Sequence, residues 1–458
     1  MSNEEISDRW SELLLPTTFR NRTAKHATDG RNPFESDYSR LLFSSPFRRL
    51  QDKTQVFLLD KSDFLRTRLT HSLEVSTIAR SIGSSLEKKL LTERQLGEAF
   101  TGHIPALLAA AGLVHDLGNP PFGHFGEEAI KKFYSTLLDK EKFRSQEYQD
   151  LTNFDGNVQT FRILSKLTYL KDQHSYNLTF PALASVIKYP KSSLTGNKQE
   201  GLRKSISEKK FGYFITEQDK YEEINTKLSL KSERHPIVYL MESADDIAYS
   251  AADIEDGVKF GALSYKKVLE FFGDVKSDLA DKLKEYYENE YKQHIEKDRL
   301  NLSIQRIRID AHSIMIPAVI EEFLKNHELI LEGKYKAELL DNSKAEEIRK
   351  AFKNMAYEVF DHSIIIEREI ASYKIIQGLL EEFCSAAESN NFSKEGKSQS
   401  YENKLYKSIS SNYRFIYETF PGNANLMYLK YQLINDYISG MTDTFAMKLY
   451  QKFKGIRL

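Results

Sequence analysis

The sequence predicts an all-α protein with one small β-hairpin. Three observations carry this. Apolar residues recur at helical spacing through most of the 458 residues. Strand-like patterning is confined to one stretch near residue 60. The most apolar run, Ile104 to Val114, has no polar face at all, and a helix that is apolar all round must be buried.

Taken in order, residues 1–40 are polar, carry scattered arginines and are expected to form an irregular N-terminal arm. A short helix with a basic edge is expected within 39–55. Val56 to Leu59 and Phe64 to Leu69 flank a polar turn and predict the hairpin. Thr70 is expected to open a helix whose stripe includes Leu73, Ile78 and Ile82, with His71 in its first turn. The 104–117 helix is stopped by Gly118 and Pro120-Pro121. Further helices are expected over 123–139, 156–170 and 178–189, the last ended by Pro190. Residues 191–235 are lysine-rich and expected to loop. Pro236 suits the first turn of a helix running to about Asp253. Several helical segments follow over 264–385, then a surface loop at 388–403 and one or two helices over 423–455. The expected division is an arm (1–40), a helical core (41–263) and a C-terminal helical region packed on it (264–458).

Composition narrows the function. Lys plus Arg number 65 and Asp plus Glu 66, for a net charge of −1. The overall charge therefore offers no case for a nucleic-acid or membrane partner. A single cysteine, Cys384, allows no intrachain disulfide and fits a reducing, cytoplasmic setting. The N-terminus has no apolar signal-peptide core, and the longest apolar run is too short to span a bilayer.

The buried run delivers His115-Asp116 to its end, a nitrogen and oxygen pair suited to a divalent metal. Capping of a buried helix is the plain alternative, and two ligands do not complete a site. His71 and Asp245 are the other candidates. Asp245, Tyr249 and Asp253 are four residues apart and fall roughly on one helix stripe. A solvated acidic face would explain such a stripe, but Leu240, Ala244, Ile247, Ala248, Ala251 and Ala252 leave that helix little surface for water. A carboxylate there needs a cation or a hydrogen-bond donor. His124 and Glu127, three apart at a helix start, share a face, and the carboxylate can fix the imidazole tautomer for acid–base work. Arg48, Arg49, Lys53, Arg68 and Lys188 supply cations of the kind phosphates require. No phosphate-binding glycine loop, dinucleotide turn or nucleophile elbow is present.

These residues stand in an ordered set: Thr70-His71-Ser72-Leu73-Glu74-Val75, His115-Asp116-Leu117-Gly118-Asn119-Pro120-Pro121-Phe122-Gly123-His124, Phe154-Asp155-Gly156-Asn157 and Tyr239-Leu240-Met241-Glu242-Ser243-Ala244-Asp245-Asp246. The set resembles the HD-superfamily deoxynucleoside triphosphate triphosphohydrolases, and most of all their bacterial deoxyguanosine triphosphatase-like branch. It spans roughly residues 30–265, with a weaker echo at Asp436 to Asp443.

The resemblance implies an HD-domain helical core and cleavage of dGTP or several dNTPs to deoxynucleoside and triphosphate. It implies His71, His115, Asp116 and Asp245 as metal ligands and His124 with Glu127 as the catalytic pair. It puts Gln55, Val56, Tyr249 and Asp253 at the sugar and Arg68, Lys188 and Tyr189 at the phosphates. The cofactor would be a divalent metal, Mn2+ or Mg2+ first, with Fe, Ni, Co or Zn as alternatives. Partners would be the deoxynucleotide, an allosteric nucleotide or single-stranded DNA, and further copies of the chain in a homo-oligomer, a hexamer by family habit. The family also uses an arginine from the C-terminal region, which has no evident counterpart here; Lys430 and Gln432 stand nearest. Two other readings remain open: a different HD phosphohydrolase acting on a phosphodiester or an alarmone, and a non-catalytic module binding nucleotide or single-stranded DNA.

Overall fold

The computed structural model describes residues 1–20, 29–55, 66–168, 170 and 172–456. Among these the chain is helical throughout, with one isolated antiparallel bridge, Thr54 to Thr67, in place of a sheet. Of the expected hairpin, residues 56–65 lie outside the described residues; in its second strand, expected over Phe64 to Leu69, Thr67 forms the isolated bridge and Arg68 and Leu69 already open a helix.

The N-terminal segment is not an irregular arm. It holds α1 (Asn3–Leu13) and α2 (Pro33–Leu42), each opened by a reciprocal capping box, Ser2 with Glu5 and Asn32 with Glu35. α1 buries Ile6, Trp10 and Leu13. Then come α3 (Ser45–Arg49), α4 (Arg68–Thr92), α5 (His103–Val114), α6 (Gly123–Leu137), α7 (Ser145–Thr152), α8 (Gly156–Arg162) and α9 (Phe180–Ala184). α4 starts at Arg68, capped by the Thr67 side chain, two residues before the expected Thr70. The helix expected over 178–189 is only the single-turn α9. The expected 191–235 loop is interrupted by α10 (Gln218–Lys227), which buries Tyr221 and Ile224. α11 (Pro236–Phe260) opens on Pro236 as expected but runs a further two turns past Asp253. The remainder is α12 (Tyr265–Gly273), α13 (Leu279–Lys284), α14 (Glu296–Lys325), α15 (His327–Leu331), α16 (Glu346–Phe360), α17 (Ser363–Ala387), α18 (Tyr401–Ser408), α19 (Ser411–Thr419), α20 (Leu426–Ser439) and α21 (Asp443–Phe453).

α5 is the axis of the core. All of its residues from Ile104 to Val114 are buried, and α4, α2 and α11 pack around it. Each fully buried Leu or Ile contributes roughly 1.5–3 kcal/mol. Two glycines set how closely α4 and α5 approach. A Cβ on Gly83 of α4 would lie 2.9 Å from Pro105 Cα, and one on Gly112 of α5 would lie 3.0 Å from Ser76 Cα. The Ser76 hydroxyl donates across the contact to Ala109 O at 2.8 Å. The Ser76–Gly112 end of this tight crossing lies about a turn from His71 and His115, whose rings come within 5.3 Å of each other. No helix among the described residues is long and apolar enough to cross a membrane.

Candidate active site

Three core helices converge on one cluster. α4 contributes His71 from its first turn, α5 delivers His115 and Asp116 just past its last, and α11 contributes Asp245 from its middle. One ligand atom from each of His71, His115 and Asp116 lies within 4.8 Å of the others. Asp245 Oδ1 is 3.1 Å from His71 Nε2 and 3.3 Å from His115 Nε2. The four predicted ligands are therefore brought together. Spacings near 3 Å are what donors about 2.0–2.2 Å from one cation adopt. Both histidines are almost fully buried. His115 Nδ1 donates to Gly112 O at 2.8 Å, which fixes the tautomer and leaves the Nε2 lone pair facing the carboxylates. That Nε2 makes no hydrogen bond of its own.

The electrostatics of the cluster call for a cation. Burial disfavours charge on His115, yet the carboxylates of Asp245 and Asp116 outweigh it and raise its pKa. Burial also opposes ionisation of Asp116 and Asp245. Arg68 and His115 nevertheless hold Asp116 below the usual range, and His115 and Lys188 do the same for Asp245. Two carboxylates stay ionised here, flanked by two imidazoles, and such a donor set fits a divalent metal.

Glu127, 3% exposed, is held on both oxygens. Gly156 N–H donates to Oε1 at 2.8 Å, and His124 Nδ1 lies 3.3 Å from Oε2. Burial pushes Glu127 up, but the His124 bond and the nearby Lys210 charge bring it down to about 2. His124, by contrast, is 78% exposed. A rigid buried carboxylate thus presents an imidazole to solvent. The turn before them needs its glycines. A Cβ on Gly118 would collide with Gly156 O and Thr160 N at 2.2 Å, and one on Gly123 would meet Arg68 Nη2 at 2.5 Å.

The other predicted residues fall around this centre. Arg68 is buried and pairs with Asp116, so it braces a candidate ligand. Lys188 Nζ lies 3.4 Å from Asp245 Oδ2. Tyr189 is buried beneath the Arg234 guanidinium, 5.5 Å from its ring centroid. The Tyr249 ring stands 6.3 Å from that of His71, and burial together with the neighbouring Asp253 carboxylate raises the pKa of its hydroxyl. Asp253 is 1% exposed, burial raises its pKa well above the usual range, and its Oδ2 has no partner. Gln55 also has a buried, unpartnered oxygen. Val56 lies outside the described residues. Lys430 and Gln432 point elsewhere: Lys430 Nζ donates to Ala387 O, and Gln432 Oε1 accepts from Thr216.

Two residues were missed. Lys210 pairs with Asp155 and is charge-coupled to Glu127; a lone lysine in a lysine-rich loop carries no signal. Asp443 accepts from Phe122 N–H at 3.0 Å; its only signal was the echo at 436–443.

A buried histidine–aspartate centre on crossed helices defines an HD-domain protein, and the HD domain family model matches residues 68–157. Relatives extend over nearly the whole chain. A deoxyguanosinetriphosphate triphosphohydrolase-like protein of Listeria innocua is 39% identical, covering 98% of this chain and 100% of its own. One from Synechocystis is 32% identical over the same shares. The deoxyguanosinetriphosphate triphosphohydrolase of Serratia proteamaculans is 29% identical, over 92% and 93%. This chain belongs to the deoxyguanosinetriphosphate triphosphohydrolase-like family of HD phosphohydrolases.

Proposed function

We propose that the protein hydrolyses deoxynucleoside triphosphates at the α-phosphorus, releasing deoxynucleoside and inorganic triphosphate. The observation that carries this is the continuity of α11. One helix supplies Asp245 to the histidine cluster, Tyr249 beside it and Asp253, with a free buried oxygen, about 12 Å further along by helical rise. A nucleotide with its α-phosphate at the cluster lays its sugar over Tyr249 and its 3′-hydroxyl toward Asp253. A simple phosphodiesterase has no need of that stripe, and a plain nucleotide-binding module has no need of the His124–Glu127 pair beside the cluster.

His71, His115, Asp116 and Asp245 would hold the metal. When bound, a divalent ion polarises the phosphoryl oxygen and lowers the pKa of an attached water. The rest falls to the chain. Lys188 and Lys210 place positive charge by the triphosphate. In the net reaction a water oxygen bonds to the α-phosphorus, the bond to the 5′-oxygen breaks, and one water proton ends on that oxygen. His124 is the group exposed to carry it. Its Nδ1–H is held by Glu127, so Nε2 is the exchanging atom. The Tyr249 ring beneath the sugar leaves little room for a 2′-hydroxyl, so ribonucleotides are disfavoured.

The test is a panel of the four dNTPs, singly and in pairs, with GTP, a cyclic nucleotide and an alarmone, each with Mn2+ or Mg2+. Triphosphate released from dNTPs with GTP a poor substrate is expected. Orthophosphate release, equal turnover of GTP and dGTP, or activity only on the phosphodiester would overturn the reading.

A further inference from the structure

The echo at Asp436 to Asp443 lies far in sequence from the histidine–aspartate segments, yet in space it abuts the turn that presents His124. Asp443, the first residue of α21 and 2% exposed, is fully engaged. Its Oδ1 accepts from Phe122 N–H at 3.0 Å. Its Oδ2 accepts from Thr54 N–H at 3.0 Å and from Thr54 Oγ1 at 2.6 Å. Lys53, equally buried, runs in parallel: its Nζ donates to Asn119 O at 2.5 Å and to Ser439 O at 2.8 Å. The segment 439–443 therefore grips both ends of the 119–122 turn and the strip leading to Gln55.

That turn needs holding. Phe122 and Gly123 are consecutive residues in the left-handed region, with φ of 64° and 57°, and His124 follows at once. A residue with a β-carbon adopts this conformation at a cost, and it persists where the surroundings over-determine it. The Asp443 carboxylate is the acceptor for the Phe122 amide. On the other side it fixes Thr54, which bridges to Thr67, the cap of α4 ahead of Arg68 and His71.

We propose that Asp443 is a positioning residue for the catalytic turn: by accepting from Phe122 and Thr54 it sets where His124 stands relative to the metal ligands. This rests on the role given to His124 above. Asp443 touches no substrate, so its effect passes through His124.

The test uses full-length Asp443→Asn, alone and combined with His124→Ala. An amide supplies one acceptor oxygen where the carboxylate supplies two, so at least one of the two backbone N–H groups loses its partner. Metal content by elemental analysis should equal the parent's, because all four ligands lie on other elements. Turnover of dNTP should fall about 10- to 100-fold, the cost of a small misplacement, mainly in kcat. In the His124→Ala background the same substitution should cost less than about twofold, because residues acting as a unit are not additive. Amide exchange at Phe122 or Thr54 should accelerate. Parent-like kcat, or an equal loss with and without His124, would overturn the proposal. If Asp443→Asn is too unstable to purify, Asp443→Glu keeps both acceptors and should show the same non-additive loss more weakly. Should the parent release no triphosphate from any dNTP, the functional reading fails alone. The positioning inference is then decided by exchange: faster in the variant supports it, unchanged overturns it.

Discussion

At the scale of single residues, the proposed roles divide metal holding from proton transfer, and the two should come apart on mutation. Asp116 is a candidate ligand braced by Arg68 and by Asn119 Nδ2 at 2.8 Å. Removing its carboxylate also strands a buried guanidinium. Asp116→Ala is therefore expected to lose bound metal and activity together and to melt lower. His124 is solvent-facing and bonds only to Glu127 among the site's carboxylates, so His124→Ala should keep its metal and its melting temperature. It should lose about 10²- to 10⁴-fold in turnover, the usual contribution of a positioned acid–base group. Elemental analysis beside kcat decides it: full metal occupancy in Asp116→Ala, or parent turnover in His124→Ala, sinks the respective role. These residues were legible because each sits beside a strong local mark: an all-apolar run, a glycine–proline stop, or a stripe of alanines. Lys210 and Asp443 were not, because their partners, Asp155 and Phe122, are brought near only by the fold.

At the scale of elements, α4, α5, α6 and α11 were readable because an apolar period coincides in each with a start or stop signal, such as Gly118 and Pro120-Pro121 between α5 and α6 or Pro236 ahead of α11. α1 and α2 were hidden by polar composition, although Ser2 with Glu5 and Asn32-Pro33 with Glu35 mark their starts. α1 is docked through two imidazoles. Trp10 Nε1 donates to His327 Nε2 at 2.9 Å, and His235 Nε2 meets Leu13 O at 3.1 Å. Burial depresses both histidines to about 4, below the ordinary value near 6.5. The released state thus binds more protons between those values. Docking is fully stable above about 6.5 and is lost as pH falls toward 4. Protonated His327 can no longer accept from Trp10. Trp10 is the chain's sole tryptophan, so its emission should shift toward that of exposed indole within this window. An emission maximum constant down to pH 4 would show that α1 does not depend on these contacts.

At the scale of the whole molecule, the C-terminal helices are fastened to the site-bearing core, and Cys384 marks the junction. It lies on α17, which packs on α6 and α20. Its Sγ is 3.7 Å from the Tyr134 hydroxyl of α6, which also donates to Asn435 Oδ1 of α20 at 3.0 Å. Helix spacing could not foretell this docking, since an apolar stripe says that a face is covered and not by what. The thiol is 1% exposed, and burial pushes it up to about 12, so it is both inaccessible and protonated at neutral pH. Reaction with a thiol reagent therefore requires α17 to part from α6 and α20. The parent should label negligibly in native buffer over minutes and give one equivalent per chain once unfolded in guanidinium. The candidate ligands on α4, just past α5 and on α11 come together only in the folded form, so added Mn2+ should move the labelling midpoint to higher denaturant. The shift should vanish in Asp116→Ala if the two regions unfold as one unit. Rapid labelling of the native protein would place the thiol at a surface. A midpoint indifferent to metal would mean that the C-terminal helices open independently of the site they hold.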